Sequence, residues 1–197
     1  MATSTQTRSR LSTSAVGGAS GSALFSAAVA GAALAITANL GRKLAVQAFS
    51  ARKGTWVESL AEEHKMVLAL FDKALETSNT DSKKRALLLM QIGHALDKHS
   101  FAEEHVIYPA LREANERTEA EQLENDHGEV KTFLFRLHNM DTSAPEWLTT
   151  VREFRESVAT HAAMEEEEVF PRLQAQIGEK LNARLTSEVN KAGFFMA

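Results

Sequence analysis

His99-Ser-Phe-Ala-Glu103-Glu104-His105-Val-Ile-Tyr108-Pro109-Ala-Leu111 returns 62 residues later as His161-Ala-Ala-Met-Glu165-Glu166-Glu167-Glu168-Val-Phe170-Pro171-Arg-Leu173. Histidine, two glutamates, an aliphatic, an aromatic, proline and leucine recur in register, which is an internal repeat. The repeat extends backwards, since Leu60-Ala-Glu-Glu-His64 is echoed by Leu123-Glu-Asn-Asp-His127 at an offset of 63. Each half therefore pairs two histidine-bearing segments, His64 with His99 and His127 with His161.

Residues four apart lie one above the other on an α-helix. His99 with Glu103, and His161 with Glu165, then each present an imidazole and a carboxylate in one direction. Steps of three and four from His99 meet Ile92, Ala95, Leu96, Ala102 and Val106, and from His161 they meet Trp147, Val151, Phe154, Val158 and Met164. From His64 the face reads Leu60, Val67, Leu68, Phe71 and Leu75; from His127 it reads Leu123, Val130, Leu134 and Leu137. All four histidines thus belong to apolar stripes that face a core.

Composition narrows the chemistry. The 197 residues include no cysteine, so disulfides, thiolate catalysis and sulfur-ligated metals are excluded, and any metal must be held by nitrogen and oxygen. Three prolines and one tyrosine, with a surplus of Ala, Leu and Glu, point to an all-α protein. Residues 1–57 carry six bases and no acid, whereas the remainder carries 16 bases against 26 acids. An acidic main domain without a basic stripe argues against a nucleic-acid partner.

The chain divides into an N-terminal arm, 1–54, rich in Ser, Ala and Gly, and a main domain, 55–190. Residues 1–22 have the composition of a disordered segment. Residues 23–38 form a 16-residue uncharged, alanine-rich run, marginal against the roughly 20 apolar residues of a membrane span. A membrane-associated helix, a solvent-facing arm and a cleaved targeting peptide remain alternatives, and Arg42-Lys43 directly after the run weakens the last. If the run spans, the bases on its C-terminal side keep the main domain in the cytoplasm.

Thr55-Trp-Val-Glu58 reads as a capping box opening a first helix that runs to about Thr77. A second helix begins near Ser82 and continues past His99 to Pro109, which should end or kink it. Thr118-Glu-Ala-Glu121 and Ser143-Ala-Pro-Glu146 read as capping boxes for a third and a fourth helix, and the fourth meets Pro171 as the second meets Pro109. Leu181, Leu185 and Val189 mark a short amphipathic C-terminal helix. Short loops make these an up-down-up-down four-helix bundle, with the duplication as an approximate twofold axis that brings the four histidines to one level.

A lone histidine on an apolar face is commonly a core residue satisfied by one hydrogen bond. Four, two of them with an inward glutamate, are different, because a buried unpaired carboxylate costs several kcal/mol. No inward arginine or lysine is expected on the first, second or fourth helix to neutralise Glu103 and Glu165, and Lys131, four after His127, can snorkel outward. A bound metal accounts for the pattern with less strain than a polar core. His94, His105 and His138 are expected off the site; Glu62, Glu63 and Glu166–Glu168 read as solvated faces, with Glu166 an alternative ligand, and Tyr108 and Phe170 as packing at the bundle end.

From about Trp56 to Leu173 the chain resembles the hemerythrin-like, HHE cation-binding domains. The resemblance rests on His64, the His-x-x-x-Glu of His99 and Glu103 running on to an aromatic and proline, His127, and the second His-x-x-x-Glu of His161 and Glu165. It implies a bundle holding two non-haem iron ions on His64, His99, Glu103, His127, His161 and Glu165. Glu103 and Glu165 would bridge the ions, and an oxo, hydroxo or O2-derived ligand would complete the site. Oxygen-carrying hemerythrins have a second histidine four after the third-helix histidine, where this chain has Lys131, and set their last carboxylate five residues after its histidine rather than four. Fewer nitrogen ligands leave room for exchangeable positions, which suit reaction with O2, peroxide or nitric oxide. Ferritin-type sites use Glu-x-x-His on two helices; this chain has that spacing only at Glu124 and His127.

The expected function is binding or sensing of O2 or a related diatomic or peroxide. The alternatives are a di-iron peroxidase or nitric-oxide-handling stress protein, and an iron-homeostasis protein. The domain is expected in the cytoplasm, with membrane association through residues 23–38 left open.

Overall fold

Residues 54–196 are described by a computed structural model; the N-terminal arm through residue 53, with its apolar run 23–38, lies outside the described residues. In chain order come α1 (Trp56–Leu75), α2 (Ser82–Ala102), a π-helical turn (Glu103–Ile107), α3 (Tyr108–Glu113), α4 (Arg117–His138), α5 (Pro145–Met164), a second π-helical turn (Glu165–Val169), α6 (Phe170–Gln176) and α7 (Glu179–Phe195). No strand occurs among the described residues. The π turns join α2 to α3 and α5 to α6 as continuous rods, so the bundle has four members. α1 packs against α2 and α5, and α4 packs against α5 and α2, closing the ring of an up-down-up-down bundle.

The start of α1 follows from its sequence. Thr55 Oγ1 accepts from the Glu58 amide at 3.3 Å, and the Thr55 amide donates to Glu58 Oε2 at 2.8 Å. Gly54 has φ +77, and a Cβ there would lie 2.0 Å from Glu58 Oε2, so this entry to the helix requires glycine.

The other two expected capping boxes do not form. The N-cap of α4 is Glu116, one residue before the helix begins at Arg117, with no side-chain cap. It follows Asn115 at φ 66, so the turn itself sets the N-cap two residues ahead of Thr118. For α5 the N-cap is Ala144 and Pro145 opens the first turn, while Ser143 turns its hydroxyl to Asp141 at 2.8 Å. Proline needs no N–H at that position and presets φ, so it starts the helix without a side-chain cap.

Pro109 and Pro171 also act differently from expectation. The helix does not end there; it runs on to Glu113 and Gln176. In the π turn the Tyr108 amide reaches back five residues to the Glu103 carbonyl, and the Phe170 amide does the same to Glu165. Each proline then falls in the first turn of a new α segment, where its absent donor costs nothing.

Two apolar clusters fill the bundle. One contains Trp56, Leu60, Leu111, Leu123, Phe170, Leu173, Leu185 and Val189. The other contains Val67, Phe71, Ile92, Leu96, Val130, Trp147, Phe154 and Val158. In every rod the site histidine falls in sequence between members of the two clusters, so the four form a polar layer between apolar halves. The C-terminal helix α7 is 17 residues long, longer than expected. It packs on α1 and α2, and its Asn182 and Thr186 accept from the Trp56 indole at 3.0 Å and the Trp56 amide at 3.1 Å. No described helix is long and apolar enough to cross a membrane.

Candidate metal centre

The apolar stripes carry all six expected residues to the bundle axis. Glu103 and Glu165 are fully buried, and His64, His99, His127 and His161 are 2 to 8% exposed. Glu103 lies between two imidazoles, with His99 Nε2 at 3.1 Å from Oε1 and His127 Nε2 at 3.3 Å from Oε2. Glu165 lies between the other two, with His64 Nε2 at 3.3 Å and His161 Nε2 at 3.4 Å from Oε2. Ligand atoms of His64, His99, Glu103 and Glu165 fall within 4.8 Å of one another, as do those of Glu103, His127 and His161. Glu103 is common to both groups.

The four Nδ1 atoms face outward and each meets a carboxylate. Glu166 Oε1 is 2.8 Å from His64, Glu63 Oε2 is 3.2 Å from His99, Glu104 Oε1 is 3.0 Å from His127, and Asp126 Oδ2 is 3.2 Å from His161. A carboxylate on Nδ1 fixes the tautomer and aims Nε2 inward, the usual orienting arrangement behind a metal-bound histidine. The repeat governs this layer too: Glu63 and Asp126 precede the first histidine of each half, and Glu104 and Glu166 follow the inward glutamates. Glu166 therefore touches the outer nitrogen of His64 rather than the centre, and Glu63, expected on a solvated face, is instead largely buried and also pairs with Lys98.

Tyr108 is the residue that sequence reasoning misplaced. On an uninterrupted α-helix it would sit about 140° around from Glu103. The π turn places an extra residue in the intervening turn and swings it inward, where it is fully buried. Its hydroxyl donates to Glu165 Oε1 at 3.2 Å and lies 3.1 Å from His127 Nε2. The equivalent residue in the other half is Phe170, which has no such group and packs edge-on to Trp56 with ring centroids 5.2 Å apart.

Charge at the centre is unevenly distributed. Burial works to raise the Glu103 carboxyl, but His99 and His127 outweigh it and hold the group well below the usual range. Burial and then the charge of Glu103 push Glu165 upward against the pull of His64 and His161. Burial lowers His99 and His127, yet the carboxylates around them win and both are raised. Burial followed by the negative charge of Glu103 and Glu165 raises the Tyr108 phenol.

Among the described residues no arginine or lysine pairs with Glu103 or Glu165 themselves; Lys98 reaches only Glu63 in the outer layer. Arg85 on α2 does point inward and is fully buried, contrary to expectation, but it lies about 21 Å along the helix from His99 and binds Thr77 and the Thr142 carbonyl over the Trp147 ring. Lys131 reaches outward to Glu104 at 3.4 Å. His94, His105 and His138 are exposed.

Among the described residues, Nε2 of His64, His99 and His161, both oxygens of Glu103 and Oε2 of Glu165 are buried without a hydrogen-bond partner. Each of these six atoms lies 3.1 to 3.4 Å from an opposing imidazole or carboxylate, close enough for ion pairing but outside hydrogen-bond geometry, and a bound cation would satisfy them together. Imidazole nitrogens and carboxylate oxygens without sulfur suit a borderline first-row cation such as iron, manganese or zinc. The residues present fit a metal centre.

Comparison with known proteins agrees. The chain is 28% identical over 130 residues to a protein named DNA nickase from Nostoc sp. (strain PCC 7120), a match covering 66% of this chain and 36% of that one. It thus spans about a third of that relative's length. A crystal structure of a hemerythrin HHE cation binding domain-containing protein from Mycobacterium kansasii shares the fold, with a TM-score of 0.59 and 23% identity, covering 71% of this chain and 87% of the other. The sequence profile of the hemerythrin HHE cation binding domain matches residues 55–173, more than half of the chain, and the protein belongs to that family.

Proposed function

We propose that His64, His99, Glu103, His127, His161 and Glu165 hold two non-haem iron ions, and that the centre binds or senses O2 or a related small molecule. The observation that carries this reading is Glu103, fully buried and shared by the two groups of ligand atoms. A carboxylate in that position can bridge two cations, and Glu165, in contact with His64 and His161, can make the second bridge. Four nitrogens and two carboxylates leave such ions short of full coordination, which suits uptake of an external ligand. Iron would supply reversible one-electron chemistry toward that ligand. The chain's own part is to orient the imidazoles through Glu63, Glu104, Asp126 and Glu166, to exclude water with the apolar clusters on either side, and to keep a protic hydroxyl at Tyr108.

The test is metal content and absorption spectrum of protein purified without air, before and after oxygen is admitted. About two irons per chain and new visible bands on oxygenation are expected for a di-iron centre. A protein with no metal, or a single spectroscopically silent zinc, would overturn the reading. Slow, reversible bands favour binding or sensing. Rapid decay with consumption of peroxide or nitric oxide would favour the catalytic reading, toward which the Tyr108 hydroxyl points as a buried hydrogen-bond donor.

The relative named for DNA nicking matches over only about a third of its own length. Its activity is not transferred to this chain. A cytoplasmic main domain, with membrane association through residues 23–38 as the alternative, completes the proposal.

A further inference from the structure

Between α4 and α5 the bundle opens into a groove of about 690 Å³. Its α5 wall includes the short side chains Thr149, Ser157 and Thr160, which leave the seam unfilled. His161 and Asp126 also line it, the pair joined through His161 Nδ1. His161 is 8% exposed against 2, 5 and 2% for His64, His99 and His127, the most exposed of the four rings. Its Nε2 is nevertheless buried and lacks a hydrogen-bond partner.

The groove is also charged. Glu129, Glu153 and Glu156 line it with Asp126, and Arg152 is the basic residue among them. Glu129, Glu153 and Glu156 are exposed and form no ion pair among the described residues. Solvated carboxylates are common on helix faces and mean little alone. Here they surround an opening lined by His161, whose Nδ1 is held by Asp126 and whose Nε2, without a hydrogen-bond partner, turns toward the candidate centre.

We propose that this groove is the route by which a divalent metal cation reaches the centre, with His161 the first ring to receive it. The proposal rests on the metal-binding reading above. A concave surface on which one sign predominates, here four carboxylates against Arg152, concentrates counter-ions and can raise an association rate by about 10- to 1,000-fold, less so as salt screens it. A neutral diatomic gains nothing from these charges, so they mark passage of the cation rather than of its gaseous ligand. Asp126, already on Nδ1, keeps Nε2 of the receiving imidazole aimed inward.

The probe is cobalt(II), mixed in a stopped-flow instrument with the metal-free full-length chain and followed by its visible absorption. The triple variant Glu129→Gln, Glu153→Gln, Glu156→Gln is expected to load about tenfold more slowly at low salt. Its final cobalt content should match the wild type, and the difference should shrink at high salt. Ser157→Trp, which fills the groove without changing its charge, should slow loading at every salt concentration. Removing three charges elsewhere, by Glu76→Gln, Asp97→Asn and Glu179→Gln, should leave the rate nearly unchanged. Wild-type rates in both groove variants, or equal slowing in the control, would overturn the route while leaving the metal centre intact. A wild-type chain that takes up no cobalt would overturn both.

Discussion

His64 is held from both sides by consecutive glutamates: its Nε2 lies 3.3 Å from Glu165 Oε2 and its Nδ1 2.8 Å from Glu166 Oε1. Glu103 and Glu104 treat His127 in the same way, at 3.3 and 3.0 Å. In the proposed centre the inner member of each pair would offer oxygen to a metal, and the outer member orients the ring. Glu166→Ala and Glu104→Ala should therefore each retain two metal ions at saturation but bind them about 10- to 100-fold more weakly. Competition with a chromophoric chelator measures this. Loss of one ion outright in Glu166→Ala would instead make Glu166 a ligand.

The two inner glutamates should respond differently to replacement. Glu165 is pushed toward its neutral form by burial and by Glu103, so Glu165→Gln should abolish tight metal binding and leave the metal-free bundle as stable as the parent. Glu103 is held as a carboxylate between His99 and His127. Stripping it in Glu103→Ala leaves two buried imidazoles without their counter-charge, a loss of about 3 to 5 kcal/mol. Thermal denaturation of the metal-free variants separates the two cases.

Tyr108→Phe removes the hydroxyl that donates to Glu165 and leaves the ring in the apolar cluster. The lost buried hydrogen bond should lower metal-free stability by about 1 kcal/mol. The same substitution makes the first half match the second, which carries Phe170. Metal content should remain at two ions, and a changed visible spectrum of the oxidised protein would report the loss of the phenol from the site.

Acid should weaken the metal-free protein through Glu63. Burial raises its carboxyl, but His99 and Lys98 outweigh that and bring it from 4.5 in the unfolded chain to about 2. Between those values the unfolded state binds more protons, so stability rises with pH in that window. The contribution, up to about 3 kcal/mol, is present above the unfolded value and is lost as pH falls toward 2. Urea midpoints across this range should fall steeply for the parent and more gently for Glu63→Gln.

Metal itself should stabilise the bundle, because the six proposed ligands converge only in the folded chain. At metal concentrations about 100 times the dissociation constant the gain is about 2.7 kcal/mol. Calorimetry with and without iron(II) under anaerobic conditions, then with chelator to reverse the shift, measures it. A melting temperature indifferent to metal would count against the centre.

The bundle and its six central residues were legible because they depend on periodicity. Apolar positions at steps of three and four, and a histidine with a glutamate at i+4, carry their own geometry. The orienting carboxylates were hidden for a reason: Glu63, Glu104, Asp126 and Glu166 sit at the edge of each stripe, where a surface acid and an acid turned to a neighbouring helix look alike. Glu63 lies beside Glu62 in a run that reads as solvent-facing. Tyr108 was hidden by the π turn, since every inference of facing assumed about 100° per residue and one extra residue invalidates it beyond Glu103. The prolines misled for the same cause. Their position is compatible with continued helix only once the turn before them has widened.

The pairing of Tyr108 with Phe170 has a consequence for how such a centre could have arisen. Two identical half-chains assembling about a true twofold axis must present the same residue on both sides, giving two hydroxyls or none. Joining the halves in one polypeptide removes that constraint. Each side can then diverge independently, and a single hydroxyl near the His127 imidazole, with a bare ring opposite, is an asymmetry open only to the fused chain.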